Sequence, residues 1–501
     1  MPHTPNIPGK ALSWSIALLL SISGCATQPK LVSGVRVPLM LFALPLPNIL
    51  FFLDTEEDLT QMTWTEAFGA MHERLASEYA YTDWKQIDWP ALEAVIGPQI
   101  ADAEAARDSD AYYRALRRYV AAIRDAHVTL TKDETLREEA IGGGFGLTPV
   151  PLNDGRLMAH GLAQAGAAAE AGMKPGAEIL SWNGKPALVA VDETPVIWAD
   201  VPPGTAYARR QTQAMLLACA PVGAQAAVSF RNPGDSTTWN VSLTATADGD
   251  ASLRAEQGAP SPLGEFDAPL TATTLESGYR LIRLYAIAPT LKMPFPERAF
   301  REMIAKAVQA QAPGVVLDLR GNQGGADHLV AALAGHFHDA PAFYEAVAVY
   351  EPRQESFRIN ASLRLMVEPA LPRFSGPVVA LVDSNTMGPA EGLAMLLQRL
   401  PQGHVFGFGP TRGAAGIGGG NIALPGDLSI SYPTGRSLDE SGNIQIEADS
   451  SGEGGVTPDI LVPMDEATAG KLYEERRDVL LEAAQAFLDK LDASTRTEEP
   501  T

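Results

Sequence analysis

The chain has 501 residues, 46% hydrophobic and 20% charged, which excludes a single small module, a fibre and overall disorder. Thirty-eight basic against sixty acidic side chains leave a formal charge of −22, which repels polyphosphate and argues against a nucleic-acid partner. Two cysteines, Cys25 and Cys219, exclude a disulfide framework and an all-cysteine metal site.

Residues 11–23 form an apolar run behind Lys10. It is shorter than the roughly 20 residues a spanning helix needs, and it ends in small residues. Ile22-Ser23-Gly24-Cys25 resembles a bacterial lipobox. That resemblance implies a lipoprotein signal peptide over 1–24 and a lipidated Cys25 that anchors the chain to a membrane of the bacterial envelope, facing the periplasm. An ordinary signal peptide is the alternative. Residues 25–54 read as a tether and an apolar segment. Within it Pro38, Pro45 and Pro47 interrupt the run 37–53, which is expected either to cover an apolar surface of the protein or to lie on the membrane.

The expected fold class is multidomain α/β. Residues 55–138 are read as a helical N-terminal domain, because Trp64, Phe68, Met71, Leu75 and Tyr79 recur at three- and four-residue steps. Tyr112, Leu116, Tyr119, Val120 and Ile123 repeat the stripe. Residues 139–250 carry a glycine loop at 142–146, a small-residue helix ending at Gly172, then a strand and turn reaching Asn183-Gly184. That order resembles a PDZ domain. The resemblance implies a peptide-binding pocket for polypeptide C-termini, with Gly144 and Gly146 offering amides and Phe145 and Leu147 lining the pocket.

Residues 251–270 read as a linker. In 271–491 apolar strands at 279–284, 314–319 and 378–382 alternate with helices at 299–311, 388–400 and 472–491, the pattern of a layered α/β domain. Residues 492–501 are a polar tail, and no internal repeat is found.

Four landmarks carry the chemistry. Asp318-Leu319-Arg320-Gly321-Asn322-Gln323-Gly324-Gly325 follows a buried strand, and Thr386-Met387-Gly388-Pro389-Ala390-Glu391 follows another. Gly455-Val456-Thr457-Pro458-Asp459-Ile460 comes later, and Asp125-Ala126-His127 precedes the glycine loop. Together they resemble the C-terminal processing, or tail-specific, serine proteases and their tricorn-core and retinoid-binding-protein relatives. The resemblance spans roughly residues 55–488 and implies a crotonase-like ββα-layered protease domain over 271–491. It also implies His127 as base, Glu453 as its orienter, and Gly324 and Gly325 as oxyanion donors. No metal and no cofactor is implied.

The chain departs from that family where catalysis begins. The nucleophilic serine falls on Gly388, which cannot form an acyl-enzyme. The stretch 407–414 lacks the lysine base of one branch, and Arg412 cannot serve because its guanidinium stays protonated. Thr386 and Ser384 lie about 7 Å or more along an extended chain from the position required, while Ser450 and Ser451 are looser substitutes. His336 and His338 lack a third ligand, His72 reads as structural, and Cys219 reads as a buried inert thiol. Residues 413–420 are expected to be a flexible loop. The oligomeric state is left open. Three functions follow: an envelope serine peptidase, an inactive peptide-binding adaptor, or a carrier of small apolar ligands.

Overall fold

Val315–Leu317 and Val378–Leu381 are continuously apolar, as befits parallel strands buried on both faces. The computed structural model describes residues 57–249 and 267–498 and sets these two strands side by side at the centre of a six-stranded sheet. Its order is Leu270–Thr274, Arg280–Leu284, Val315–Asp318, Val378–Leu381, Gly403–Gly407, Ile460–Leu461, with all neighbours parallel except the first pair. Side chains alternate between two cores. Val315 and Leu317 meet helices Pro296–Gln309, Asp327–Ala334 and Pro389–Gln398. Val316, Val379 and Leu381 meet Ala484 and Leu488 of helix Val479–Glu498.

The expected elements of this layer are present, with one difference at the C-terminal end. In place of a single helix over 472–491 there are two, Glu466–Tyr473 and Val479–Glu498. Between them Arg476 adopts a positive φ of 53°, and Asp478 accepts a hydrogen bond from Arg320 at 2.7 Å. Arg320 also bonds Asp318 at 2.8 Å, so one guanidinium ties the end of the central strand to the closing helix.

Long antiparallel strands Ala342–Glu351, Ser356–Val367, Gly416–Leu424 and Leu428–Leu438 make a second sheet. Residues 416–420 therefore belong to a strand and are not part of a flexible loop. Helices Trp64–Glu78, Trp89–Ala106 and Ser109–Ile123 share one core with Ile422, Leu424, Ile430 and Tyr432 of this sheet. The N-terminal helices are thus fused to this second sheet rather than forming a domain with a core of their own.

The β-rich region between them holds a sheet ordered Trp239–Thr244, Gln225–Arg231, Ala177–Trp182, Leu157–His160, Thr148–Pro151. Phe145 and Leu147 are buried in its core, Phe145 edge-on to Trp182, so neither lines a peptide pocket. Gly146 presses against Gly166, whose Cα would lie 2.8 Å from any Cβ added there. The edge strand Thr148–Pro151 contains Pro149 and Pro151, which have no N–H to offer an added strand. Helix Glu466–Tyr473 packs onto this region through Ala469 against Val150 and Met158.

Cys25, the signal and tether segments, the run 37–53 and residues 251–266 of the linker lie outside the described residues. No helix among the described residues is long and apolar enough to cross a membrane.

Two glycines separate space from strain. Gly69, inside helix Trp64–Glu78, has nothing within 4 Å of an added Cβ. Gly69→Ala should stabilise the chain by up to about 1 kcal/mol. Gly325, at φ +148°, would drive a Cβ into the carbonyl oxygen of Ile287, and Gly325→Ala should cost about 2 kcal/mol or more. Urea-unfolding midpoints of the two variants should move in opposite directions.

Candidate active site

Helix Ser109–Ile123 ends at Arg124 in the left-handed conformation, and the chain turns at once into Asp125-Ala126-His127. Asp125 Oδ1 accepts the backbone N–H of His127 at 2.8 Å, and Tyr79 donates its hydroxyl to Asp125 Oδ2 at 2.6 Å. The following strand, Thr129–Leu130, pairs with Leu428–Leu438, which fixes the imidazole against the second sheet. His127 Nδ1 lies 3.8 Å from Asp125 Oδ1 and makes no hydrogen bond. The side chain stays 22% exposed.

The facing wall is the start of helix Pro389–Gln398. Gly388 caps it at φ 59°, ψ −130°, a conformation that side chains adopt only under strain. Pro389 at the first helical position lacks an N–H that would be unsatisfied there anyway. A Cβ built on Gly388 would lie 3.9 Å from His127 Nε2 and 3.8 Å from the Ala414 carbonyl oxygen. One C–O bond further, a hydroxyl would be within hydrogen-bond range of the imidazole. The positions expected for base and nucleophile are therefore brought together, with no side chain at Gly388.

Glu391, one turn into the helix, holds the site in place. Its carboxylate accepts the N–H groups of Gly388 at 2.9 Å, Gly413 at 2.7 Å and Ala414 at 3.0 Å, together with the Thr411 hydroxyl. Burial pushes its carboxyl up to about 7, against the opposing pull of those four hydrogen bonds.

The carboxylate beside the imidazole is not the expected one. Glu453 is exposed, and its backbone N–H bonds Asp449 at 3.1 Å. Glu447, six positions earlier and fully buried, instead joins Asp125 and His127, with their ligand-type atoms within 4.8 Å of one another. Glu447 accepts the Ala415 N–H at 2.8 Å and pairs with the Lys85 ammonium at 2.7 Å. Lys85 also donates to the carbonyls of Arg124 at 3.2 Å and Ala448 at 2.8 Å. Burial and the nearby Asp125 push Glu447 up to about 8, while Lys85 opposes this. Burial works against the Lys85 charge, but Glu447 and Asp125 outweigh it and hold Lys85 above its ordinary range. Burial lowers His127 below its ordinary value, partly offset by Asp125. Lys85 supplies a positive charge where these three groups would otherwise hold a cation.

Of the two glycines expected to donate to an oxyanion, Gly324 has its amide committed. Gly324 donates its N–H to Asn322 Oδ1 at 2.8 Å, so this amide is not free for an oxyanion. An added Cβ on it would sit 2.6 Å from Pro389 Cδ. Gly325 bridges Ile287, which turns its own N–H away from that partner strand. The other hydroxyls are committed elsewhere. Thr386 Oγ1 donates to Leu319 O at 3.0 Å, Thr411 to Glu391, and Ser451 Oγ to Asp449 at 2.7 Å. Val201, from the loop before helix Ala206–Leu217, packs on Ala126, Met387 and Ala414 beside the cleft. His72 bonds Tyr119 and His336 bonds Pro372 O, both structural roles. Cys219 is half-buried in strand Cys219–Ala220 rather than fully enclosed.

Residues 289–462 match the model of peptidase family S41. The chain carries a peptidase family S41 domain. The matched span contains Gly324, Gly325, Gly388, Glu391 and Glu447, while His127 and Lys85 come from outside it. Among solved structures, mature CPAF complexed with lactacystin aligns over 86% of this chain and 99% of its own, at 15% identity and a TM-score of 0.59. A point mutant of CPAF aligns over 88% and 98%, at 14% identity and a TM-score of 0.61. At these identities the likeness establishes a shared fold. No curated protein sequence matches the chain.

Removing the Glu447 carboxylate takes the directly paired counter-charge from the buried Lys85 ammonium. Glu447→Ala should therefore cost about 3–5 kcal/mol, whereas Glu453→Ala at the exposed loop should stay within about 0.5 kcal/mol of wild type. Chemical denaturation of the two variants checks which glutamate belongs to the site.

Proposed function

We propose that this peptidase-family protein has lost covalent catalysis and acts as a pseudopeptidase, an adaptor that holds extended polypeptide in the cleft between His127 and Gly388. The observation that carries the reading is the direction of the missing side chain. A Cβ on Gly388 points at His127 Nε2 from 3.9 Å, and the neighbouring hydroxyls of Thr386, Thr411 and Ser451 are bonded elsewhere. A residue after Gly388 with an N–H could contribute an oxyanion donor, but Pro389 has none.

The cleft, rather than the PDZ-like region, is the peptide site in this reading. Gly146 is closed against Gly166, and the sheet-edge strand Thr148–Pro151 is buried and carries two prolines. A lipid anchor at Cys25 would hold the folded part at the bacterial envelope, facing the periplasm. A second reading, carriage of a small apolar ligand, draws on a cavity of about 340 Å³ walled by Ile141, Trp182, Trp198, Leu216 and Leu217. Native mass spectrometry showing a co-purified apolar molecule would favour it.

The test is Gly388→Ser, assayed beside wild type on denatured casein. The introduced hydroxyl would pass its proton to His127 Nε2 while its oxygen attacks the peptide carbonyl. Wild type should bind casein fragments without cleaving them, and the variant should gain slow cleavage. Cleavage by wild type overturns the reading. Because the base must be neutral and His127 lies below its ordinary 6.5, the variant's activity should rise with pH with its midpoint below that of a free imidazole. A side chain at φ 59°, ψ −130° is strained by about 1–3 kcal/mol, so the variant should also melt at a lower temperature than wild type.

A further inference from the structure

We infer that a surface pocket between helices Pro296–Gln309 and Asp327–Ala334 binds a small zwitterion with an apolar side chain, an α-amino acid or dipeptide of the leucine class. The pocket is a cavity of about 450 Å³, within the range of small-molecule sites, and none of its lining residues belongs to the cleft. Two of its walls carry polar side chains without partners. Glu297 and Arg301 stand one turn apart on the first helix, in the order that favours an ion pair along the turn, yet they form none. Neither has a hydrogen bond or an ion pair among the described residues. Instead Glu297 acts on His328, near the start of the second helix, and Arg301 on His336, just past its end.

His336 is the group that points to a ligand. It is only 4% exposed, and its Nδ1 lies 2.7 Å from the Pro372 carbonyl oxygen, which can only accept. Nδ1 therefore carries the proton, and in the neutral ring Nε2 is a lone pair. Burial lowers the ring below its ordinary value, against the Pro372 carbonyl and with the help of Arg301. Nε2 has no partner among the described residues, and the ring lines the pocket. A ligand group that meets this atom must bring a hydrogen. The charged lining is Glu297 and Glu368 against Arg298 and Arg301, so a net anion or a net cation would meet repulsion as well as attraction. A zwitterion is complementary to both signs: its ammonium donates to Nε2 and Glu297, and its carboxylate takes Arg301. Arg298 already stacks over the Phe295 ring at 4.6 Å. Leu365, Met366 and the exposed Leu371 make the apolar wall that a leucine-like side chain would cover.

The full chain, with its histidines ¹⁵N-labelled, is titrated with L-leucine and with leucyl-leucine. The Nε2 resonance that is missing in His336→Gln should shift, with a Kd of about 0.1–1 mM for ligands of this size, and the tighter of the two names the source of the zwitterion. Leucinamide, which lacks the carboxylate, and N-acetyl-leucine, which lacks the ammonium, should each bind about tenfold more weakly than leucine, the range of a hydrogen bond to a charged group. Glycine, without the side chain, should lose about as much. Arg301→Gln should make leucine and leucinamide bind alike, and Glu297→Gln should do the same for leucine and N-acetyl-leucine. Neither side chain is in the core, so both variants should fold. Casein binding should be unchanged by saturating leucine. Absence of any shift up to about 20 mM of either ligand overturns the inference, as does leucinamide or N-acetyl-leucine binding as tightly as leucine. Either result leaves the pseudopeptidase reading standing.

Discussion

The site depends on one carboxylate and four donors. Glu391 gathers the amides of Gly388, Gly413 and Ala414 and the hydroxyl of Thr411, and so joins the start of helix Pro389–Gln398 to the loop that enters strand Gly416–Leu424. A buried carboxylate is costly unless its oxygens are satisfied, and here each oxygen has two donors. The arrangement fixes where Gly388 sits, where the Ala414 carbonyl points and how far both lie from His127. It uses the same amides that would otherwise be free to polarise a substrate, so rigidity of the wall comes at the expense of its donors.

A second buried network faces it. Tyr79, Lys85, Asp125 and Glu447 surround the imidazole with two acids, one ammonium and a phenol. Such charges stay buried only while each keeps its partner. The Lys85 ammonium has three, the Glu447 carboxylate and two backbone carbonyls. The structure therefore retains an oriented imidazole opposite a residue with no side chain. Within the span matched to family S41, glycine at this position avoids the backbone strain that a side chain would incur there.

The β-rich region also differs in use from what its glycine order suggests. Gly146 lies where close backbone packing on Gly166 leaves no room for a side chain, and Phe145 and Leu147 complete the core instead of a pocket. Through Val201 and Thr205 the same region reaches the protease layer, Thr205 donating to the Thr411 carbonyl at 2.9 Å. Its contact with the loop that Glu391 holds is direct.

Much of this architecture was legible in the sequence, because it follows from local rules. Continuous apolar runs such as 315–317 and 378–381, bounded by turn residues, read as buried strands, and helices with three- and four-residue stripes bury one face. The position of Gly388 at a strand-to-helix corner, and its lack of a nucleophile, were likewise set by residue identity alone. The partner of His127 was not. Glu453 and Glu447 are equally acidic letters in one glycine-rich stretch, and Lys85 sits forty-two positions before the imidazole with no spacing to connect them. Only the folded chain decides which carboxylate is buried beside that ring and which amides Glu391 uses, because desolvation and hydrogen-bond geometry arise between segments hundreds of residues apart, whereas periodicity and side-chain chemistry belong to each segment by itself.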